Sequence, residues 1–175
     1  MNILKKQSKF FWILICLQIL VSLVGFFRFF IFAKNLSITR DSVPSDLNSL
    51  IYFTRFLVQS KNENTLTFFF HNFGLALLGN LLSLLSLGFL GIPQLFSAFS
   101  VLGISATNGF SMSLLIAFLE TLGICVSIGF GTVFSWKLKN REIKKSIVLF
   151  KSVLLILFLA FLYLTTALIE SNYIG

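Results

Sequence analysis

The stretch IPQLFSAFSVLGISAT, residues 92–107, decides how this chain is folded. It is apolar and uncharged, and turn-forming residues bracket it: Gly88, Gly91 and Pro93 before it, Asn108-Gly109 after it. As a helix its sixteen residues extend about 24 Å at ~1.5 Å each, against a bilayer core of ~30 Å. The stretch either crosses a membrane or dips in and returns. With a cytoplasmic N-terminus, a crossing places the Lys137–Lys145 loop in the cytoplasm as well. A dip strands that loop outside with five basic residues and one acid, Glu142. The excess of Lys and Arg in cytoplasmic loops favours the crossing.

Four longer apolar runs surround this one. They cover residues 10–33, 66–90, 110–136 and 146–169, each near the ~20 residues that a membrane helix needs. The expected fold is all-α: a single polytopic membrane domain over residues 1–175 with about five transmembrane helices and the N-terminus cytoplasmic. Only the loop of residues 34–65 is extended, and it lies on the extracytoplasmic side.

Composition points the same way. Of 175 residues, 57% are hydrophobic and 11% charged, and there are 23 Phe; mean hydropathy is +0.94. A soluble domain carries about 25% charged residues, and a globule of this length leaves roughly 30% of its unfolded surface exposed. The solvent must therefore be lipid. A soluble enzyme, a disulfide scaffold and a disordered linker are excluded. Two Cys and one His are too few for a Cys/His metal centre. The net charge of +8 is not a nucleic-acid footprint, because the basic residues flank the apolar runs. Lys5, Lys6 and Lys9 precede the first run; Lys137, Lys139, Arg141, Lys144 and Lys145 separate the last two.

The first run is longer than the 7–15-residue apolar segment of a signal peptide and has no small-residue cleavage site. Ile15 before Cys16 is too bulky for a lipoprotein site, so the run is expected to stay as a span. In the loop, Pro44-Ser45-Asp46 reads as a helix start. Leu47, Leu50, Ile51, Leu57 and Val58 then keep a helical spacing, which fits an amphipathic helix lying on the outer leaflet or one that docks a partner. Asn35-Leu36-Ser37 matches a glycosylation triplet. Cys16 and Cys125 lie within apolar runs and read as small hydrophobes.

Helices in lipid associate through small residues and interhelical hydrogen bonds. The second run carries such a stripe: Asn72, Ala76, Gly79, Asn80, Ser83 and Ser86. The fourth answers with Ser113, Ala117, Glu120, Ser127 and Gly131, interrupted by Ile124. The first has Gln18, Ser22 and Gly25. The plainest reading of these stripes is helix packing, with Phe on the lipid-facing sides.

Glu120 stands out, about 15 Å into its span, because an ionisable residue at that depth is costly and marks a candidate functional site. Arg28, roughly 8 Å deep, and His71 share the outer half with it. An Arg28–Glu120 ion pair is within reach if their helices adjoin. The candidate intramembrane site is therefore Glu120, Arg28, His71, Asn72 and Asn80. It is either a structural ion pair or a contact for a ligand, a proton or a partner helix. Lys151, near the inner end of the fifth run, is expected to snorkel to the membrane surface. No zinc-protease, nucleophile-elbow or Walker pattern is present. No catalytic residue, metal or cofactor is expected, and the chain does not read as an enzyme.

Residues Thr67–Gly131 carry Phe69-Phe70-His71-Asn72 at the start of a span and a small-residue helix reaching Gly88 and Gly91. Asn108-Gly109 and then Glu120, Gly129 and Gly131 follow. This segment, a little over a third of the chain, resembles the stage II sporulation protein M family of bacterial membrane proteins. In that family an Asn begins the second span, an Asn-Gly turn follows, and a His-Gly-x-x-Glu motif lies in the fourth. This chain keeps the Glu as Glu120 but has Ile116 and Ala117 at the His and Gly positions. The resemblance implies an accessory membrane protein that works with partners. Those partners are peptidoglycan-remodelling proteins in sporulation, and ABC-type transporters elsewhere. Short members occur in circular-bacteriocin clusters, in maturation, export or self-protection.

Two functional readings follow. One is an accessory protein of the cell membrane that packs against other membrane subunits or further copies of itself. The other is a small transporter or channel subunit that moves a solute past Arg28, His71 and Glu120.

Overall fold

The structure, a computed structural model, describes residues 2–36, 65–107 and 112–174. The surface helix and glycosylation triplet expected in the long loop, and the Asn108-Gly109 turn, lie outside those residues. Five α-helices account for nearly everything described. They are α1 (Asn2–Leu36), α2 (Thr65–Leu85), α3 (Ile92–Ala106), α4 (Met112–Lys139) and α5 (Lys145–Ile174). A 3-10 turn, Phe89–Gly91, leads into α3.

Among the described residues, five segments are long and apolar enough to cross a membrane: Lys9–Lys34, Thr65–Leu85, Phe89–Ala106, Met112–Lys139 and Ser146–Asn172. The decisive stretch gains Phe89–Gly91 and becomes one continuous 18-residue segment. At ~1.5 Å per residue it is about 27 Å long, close to the full hydrocarbon thickness.

The helix directions follow from residue contacts. Along α1, Gln18 reaches Gly88, Gly25 lies on the backbone of Phe96, and Phe26 and Phe30 lie on Gly103. Partners advance in step, so α1 and α3 run parallel. Along α2, Asn72 bonds Glu120, Asn80 bonds the Ser127 carbonyl at 2.8 Å, and Ser83 and Leu84 lie on Gly131. Hence α2 and α4 are also parallel. In α5 the order reverses: Tyr163 reaches Glu120, whereas Lys151 lies over Phe134. Helices alternate in direction along the chain, yet the closest pairs are α1 with α3 and α2 with α4. The helix α4 is central, with 44% of its apolar window buried against 22–28% in the others. Leu95 and Ala98 of α3 pack on one side of it against Ile124 and Ile128. On the other side Ala76 of α2 joins Leu155, Leu159 and Tyr163 of α5.

This alternation brings the two basic clusters together. Phe10 lies 5.7 Å from Trp136 and 5.9 Å from Phe89, centroid to centroid. Lys9, Lys137, Lys139 and the α2–α3 turn thus share one end of the bundle.

The α2–α3 turn explains why the second helix stops at Leu85, five residues before the expected Leu90. Leu87 and Gly88 take left-handed φ values of 58° and 100°, and the Gly88 N–H returns to the Ser83 carbonyl at 2.8 Å. This bonding is that of a Schellman stop. A Cβ on Gly88 would come within 2.6 Å of Thr132 Oγ1, so both conformation and space require glycine. Backbone polar groups freed inside a membrane protein need internal partners. Gln18 Nε2 donates to the Gly88 carbonyl at 3.0 Å and to Thr132 Oγ1 at 3.2 Å. Trp136 Nε1 donates to the Leu87 carbonyl at 3.0 Å.

Outward faces are apolar, as lipid demands: Trp12, Ile13, Phe27, Phe70, Leu149, Phe150 and Phe161 are all exposed. Phe does not keep to those faces, however. Phe68 and Phe134 are buried, and Phe69, Phe73 and Phe130 pack against the α2–α5 core.

Candidate functional site

The small-residue stripes of α2 and α4 meet. Ala76, Gly79 and Ser83 are buried on α2, and Ser127 and Gly131 on α4. A Cβ on Gly131 would come within 2.5 Å of the Asn80 carbonyl oxygen, so the two backbones touch there without an intervening side chain. At such a distance hydroxyls and amides reach the opposite backbone. Ser127 Oγ donates to the Ala76 carbonyl, and Asn80 Nδ2 to the Ser127 carbonyl. Asn80 is thus part of the helix–helix seam. Ile124, which interrupts the stripe in sequence, faces the α3 core instead.

Toward the opposite end from the basic clusters, the seam carries Glu120. Asn72 Nδ2 donates to Glu120 Oε1 across the α2–α4 contact. Tyr163, 1% exposed on α5, donates its hydroxyl to the Glu120 backbone carbonyl at 3.0 Å. Thr121 Oγ1 donates to the Ala98 carbonyl of α3 at 3.3 Å. Three helices, α2, α3 and α5, therefore converge on one turn of α4. With α4 they line a partly open cavity of about 20 Å³, bordered by Asn72, Ala98, Glu120, Thr121 and Tyr163, among others. That volume is about what one water needs.

His71 is half-buried on α2, adjacent to Asn72. Arg28 is not part of the constellation. It is exposed on α1, and the condition for an Arg28–Glu120 pair, that their helices adjoin, is not met at this level. At this level α3 lies between the two helices: Gly103 packs on α1 and Ala98 on α4. Helices α1 and α4 meet near the basic end, through Gln18 and Phe10.

Sequence reasoning missed Tyr163, Thr121 and Glu170. Glu170 is 4% exposed, at the end of α5 beyond the expected limit of Ile169. The signal was present, since Leu155, Leu159, Tyr163, Thr166 and Glu170 keep steps of three and four. Among the described residues no group of three or more His, Cys, Asp or Glu could hold a metal ion. Cys16 and Cys125 are free thiols.

Five apolar spans around a polar helix–helix seam define a multi-pass α-helical membrane protein in contact with the lipid bilayer. No family model matches the chain, and neither a curated protein nor a solved structure matches it.

Proposed function

We propose that this chain is an accessory protein of the bacterial cell membrane, with its N-terminus cytoplasmic, that assembles with other membrane subunits. The observation that carries this reading is the use made of its polar residues. Asn72, Asn80, Ser127 and Thr121 are engaged in bonds between helices, and the space beside Glu120 is about 20 Å³. A conduit for a solute needs polar groups along its whole height and room to pass. The alternative of a small transporter or channel subunit draws on the convergence of Asn72, Glu120, Thr121 and Tyr163 on that one cavity.

The resemblance to the stage II sporulation protein M family gives the reading its settings: peptide or bacteriocin export, maturation or immunity, or a sporulation-type membrane complex. An ABC-type transporter is the partner class it supplies. The test begins with the neighbouring genes. An ATP-binding cassette subunit and a small hydrophobic peptide precursor beside this gene support export. Co-purification of the tagged chain with that cassette in mild detergent is then expected. Solute or ion flux through liposomes holding the purified chain alone would favour the conduit.

A further inference from the structure

The basic end of the bundle carries a charge pattern that orientation alone does not require. From Lys137 to Lys151 there are six basic residues and one acid, Glu142. Of these, Lys137, Lys139, Arg141, Lys144 and Lys151 are exposed, and so is Lys9 of α1 at the same end. The α4–α5 connection holds them close together. Arg141 takes a left-handed φ of 57°, and the Glu142 N–H returns to the Lys137 carbonyl at 2.9 Å, so the chain reverses within a few residues. Glu142 is the only acidic residue described at this end, because Glu120 and Glu170 lie toward the other.

Two of the ammonium groups lie over aromatic rings. Lys139 Nζ is 5.1 Å from the centre of the Trp136 ring. Lys151 Nζ is 5.8 Å from the centre of Phe134. Lys151 is six positions beyond the start of α5, about 9 Å along the helix, and lies within the Ser146–Asn172 span. A lysine this near the end of a span snorkels toward the headgroup boundary, and Lys137, one turn from Phe134 on α4, adds to the positive field there. The anion that a bilayer supplies at the boundary between headgroup and hydrocarbon is a lipid phosphate. Its acyl chains would lie along exposed Leu149, Phe150, Val153 and Leu154 of α5.

We infer that the α4–α5 hairpin binds the headgroup of an anionic phospholipid, with Lys137, Lys144 and Lys151 as its principal contacts. Basic residues at a membrane surface recognise anionic lipids through their summed charge.

The test offers the full chain, purified in a neutral detergent, equal amounts of phosphatidylglycerol and phosphatidylcholine with matched acyl chains. Native mass spectrometry then counts the lipid retained. Preferential retention of phosphatidylglycerol is expected, falling about fivefold for each charge removed in Lys137→Gln, Lys144→Gln and Lys151→Gln. Lys151→Arg should keep the preference. Thermal unfolding in the same detergent distinguishes lipid from free anion: phosphatidylglycerol should raise the Tm, and inorganic phosphate at the same concentration should not. Equal retention of the two lipids overturns the inference. So does an unchanged preference in the Lys137→Gln/Lys151→Gln double variant, or an equal Tm rise with inorganic phosphate. Lys144→Gln, in the turn outside the apolar spans, keeps the test decisive if a variant within a helix fails to fold.

Discussion

Gln18, in the middle of α1, donates its side-chain amide to the backbone carbonyl of Gly88 at 3.0 Å across 70 residues of sequence. The same nitrogen reaches Thr132 Oγ1 at 3.2 Å, so one buried side chain ties α1, the α2–α3 turn and α4 together. The turn reverses the chain with backbone groups released from helical bonding, and lipid offers them no partner.

Gln18→Leu is therefore expected to destabilise the protein although it makes α1 more apolar. Side-chain hydrogen bonds inside membrane bundles are worth about 0.6–2 kcal/mol, and an abandoned buried carbonyl adds to the loss. Unfolding in mixed micelles should show a loss of about 1–3 kcal/mol. A lipid-facing control, Ile19→Leu, should stay within about 0.5 kcal/mol of the parent.

Gly131 and Gly129 lie two residues apart on α4 and should respond in opposite ways to a single methyl group. A Cβ on Gly131 meets the Asn80 carbonyl oxygen at 2.5 Å and Ser83 Cβ at 2.9 Å, whereas a Cβ on Gly129 meets nothing within 4 Å. Gly131→Ala must push α2 and α4 apart and should cost about 1–3 kcal/mol, as overpacking does. Gly129→Ala gains helix propensity and should be neutral or slightly stabilising. Thermal unfolding of the two variants side by side is the measurement.

Much of this architecture is legible in the chain before any coordinates. Spans are set by length and hydropathy, and both are local properties. The Asn72–Ser83 stripe is equally legible, because small and polar residues repeating at helical steps have no use on a lipid-facing surface. Neighbour choice is not local. Nothing within α1 says that it runs beside α3, and that placement removes Arg28 from Glu120. Tyr163 escapes notice because a Tyr in an apolar run looks like one more aromatic residue until its hydroxyl is seen to meet Glu120. Thr121 is hidden in the same way: it needs α3 beside it before its polarity has a meaning.

Five crossings place Lys9 and the α4–α5 turn on one side of the membrane and the end of α5 on the other. With Cys16 and Cys125 replaced by Ala, single cysteines at Lys9, Asn140 and Asn172 report this directly. Lys9→Cys and Asn140→Cys should react with a membrane-impermeant maleimide only after the cells are opened. Asn172→Cys should react in intact cells. Reaction of Asn140→Cys in intact cells would mean four crossings, with residues 92–107 dipping in and returning.

Glu120 and Asn72 allow a structural role and a charge-dependent role to be separated by two substitutions. Glu120→Gln keeps an oxygen that can accept the Asn72 Nδ2 hydrogen, and it also preserves side-chain length. The bundle should stay within about 1 kcal/mol of the parent. Glu120→Leu removes the acceptor and leaves the Asn72 amide buried, with a loss of about 1–3 kcal/mol. Asn72→Leu added to Glu120→Leu should recover part of that loss, because replacing both partners with apolar groups removes the stranded donor. Unfolding of all three variants in the same detergent tests this ordering. Any function that needs the carboxyl group itself must then separate from stability: Glu120→Gln should abolish it while the fold is kept. If Glu120→Gln retains full activity in the assembled complex, the residue serves only as the acceptor that joins α2 to α4.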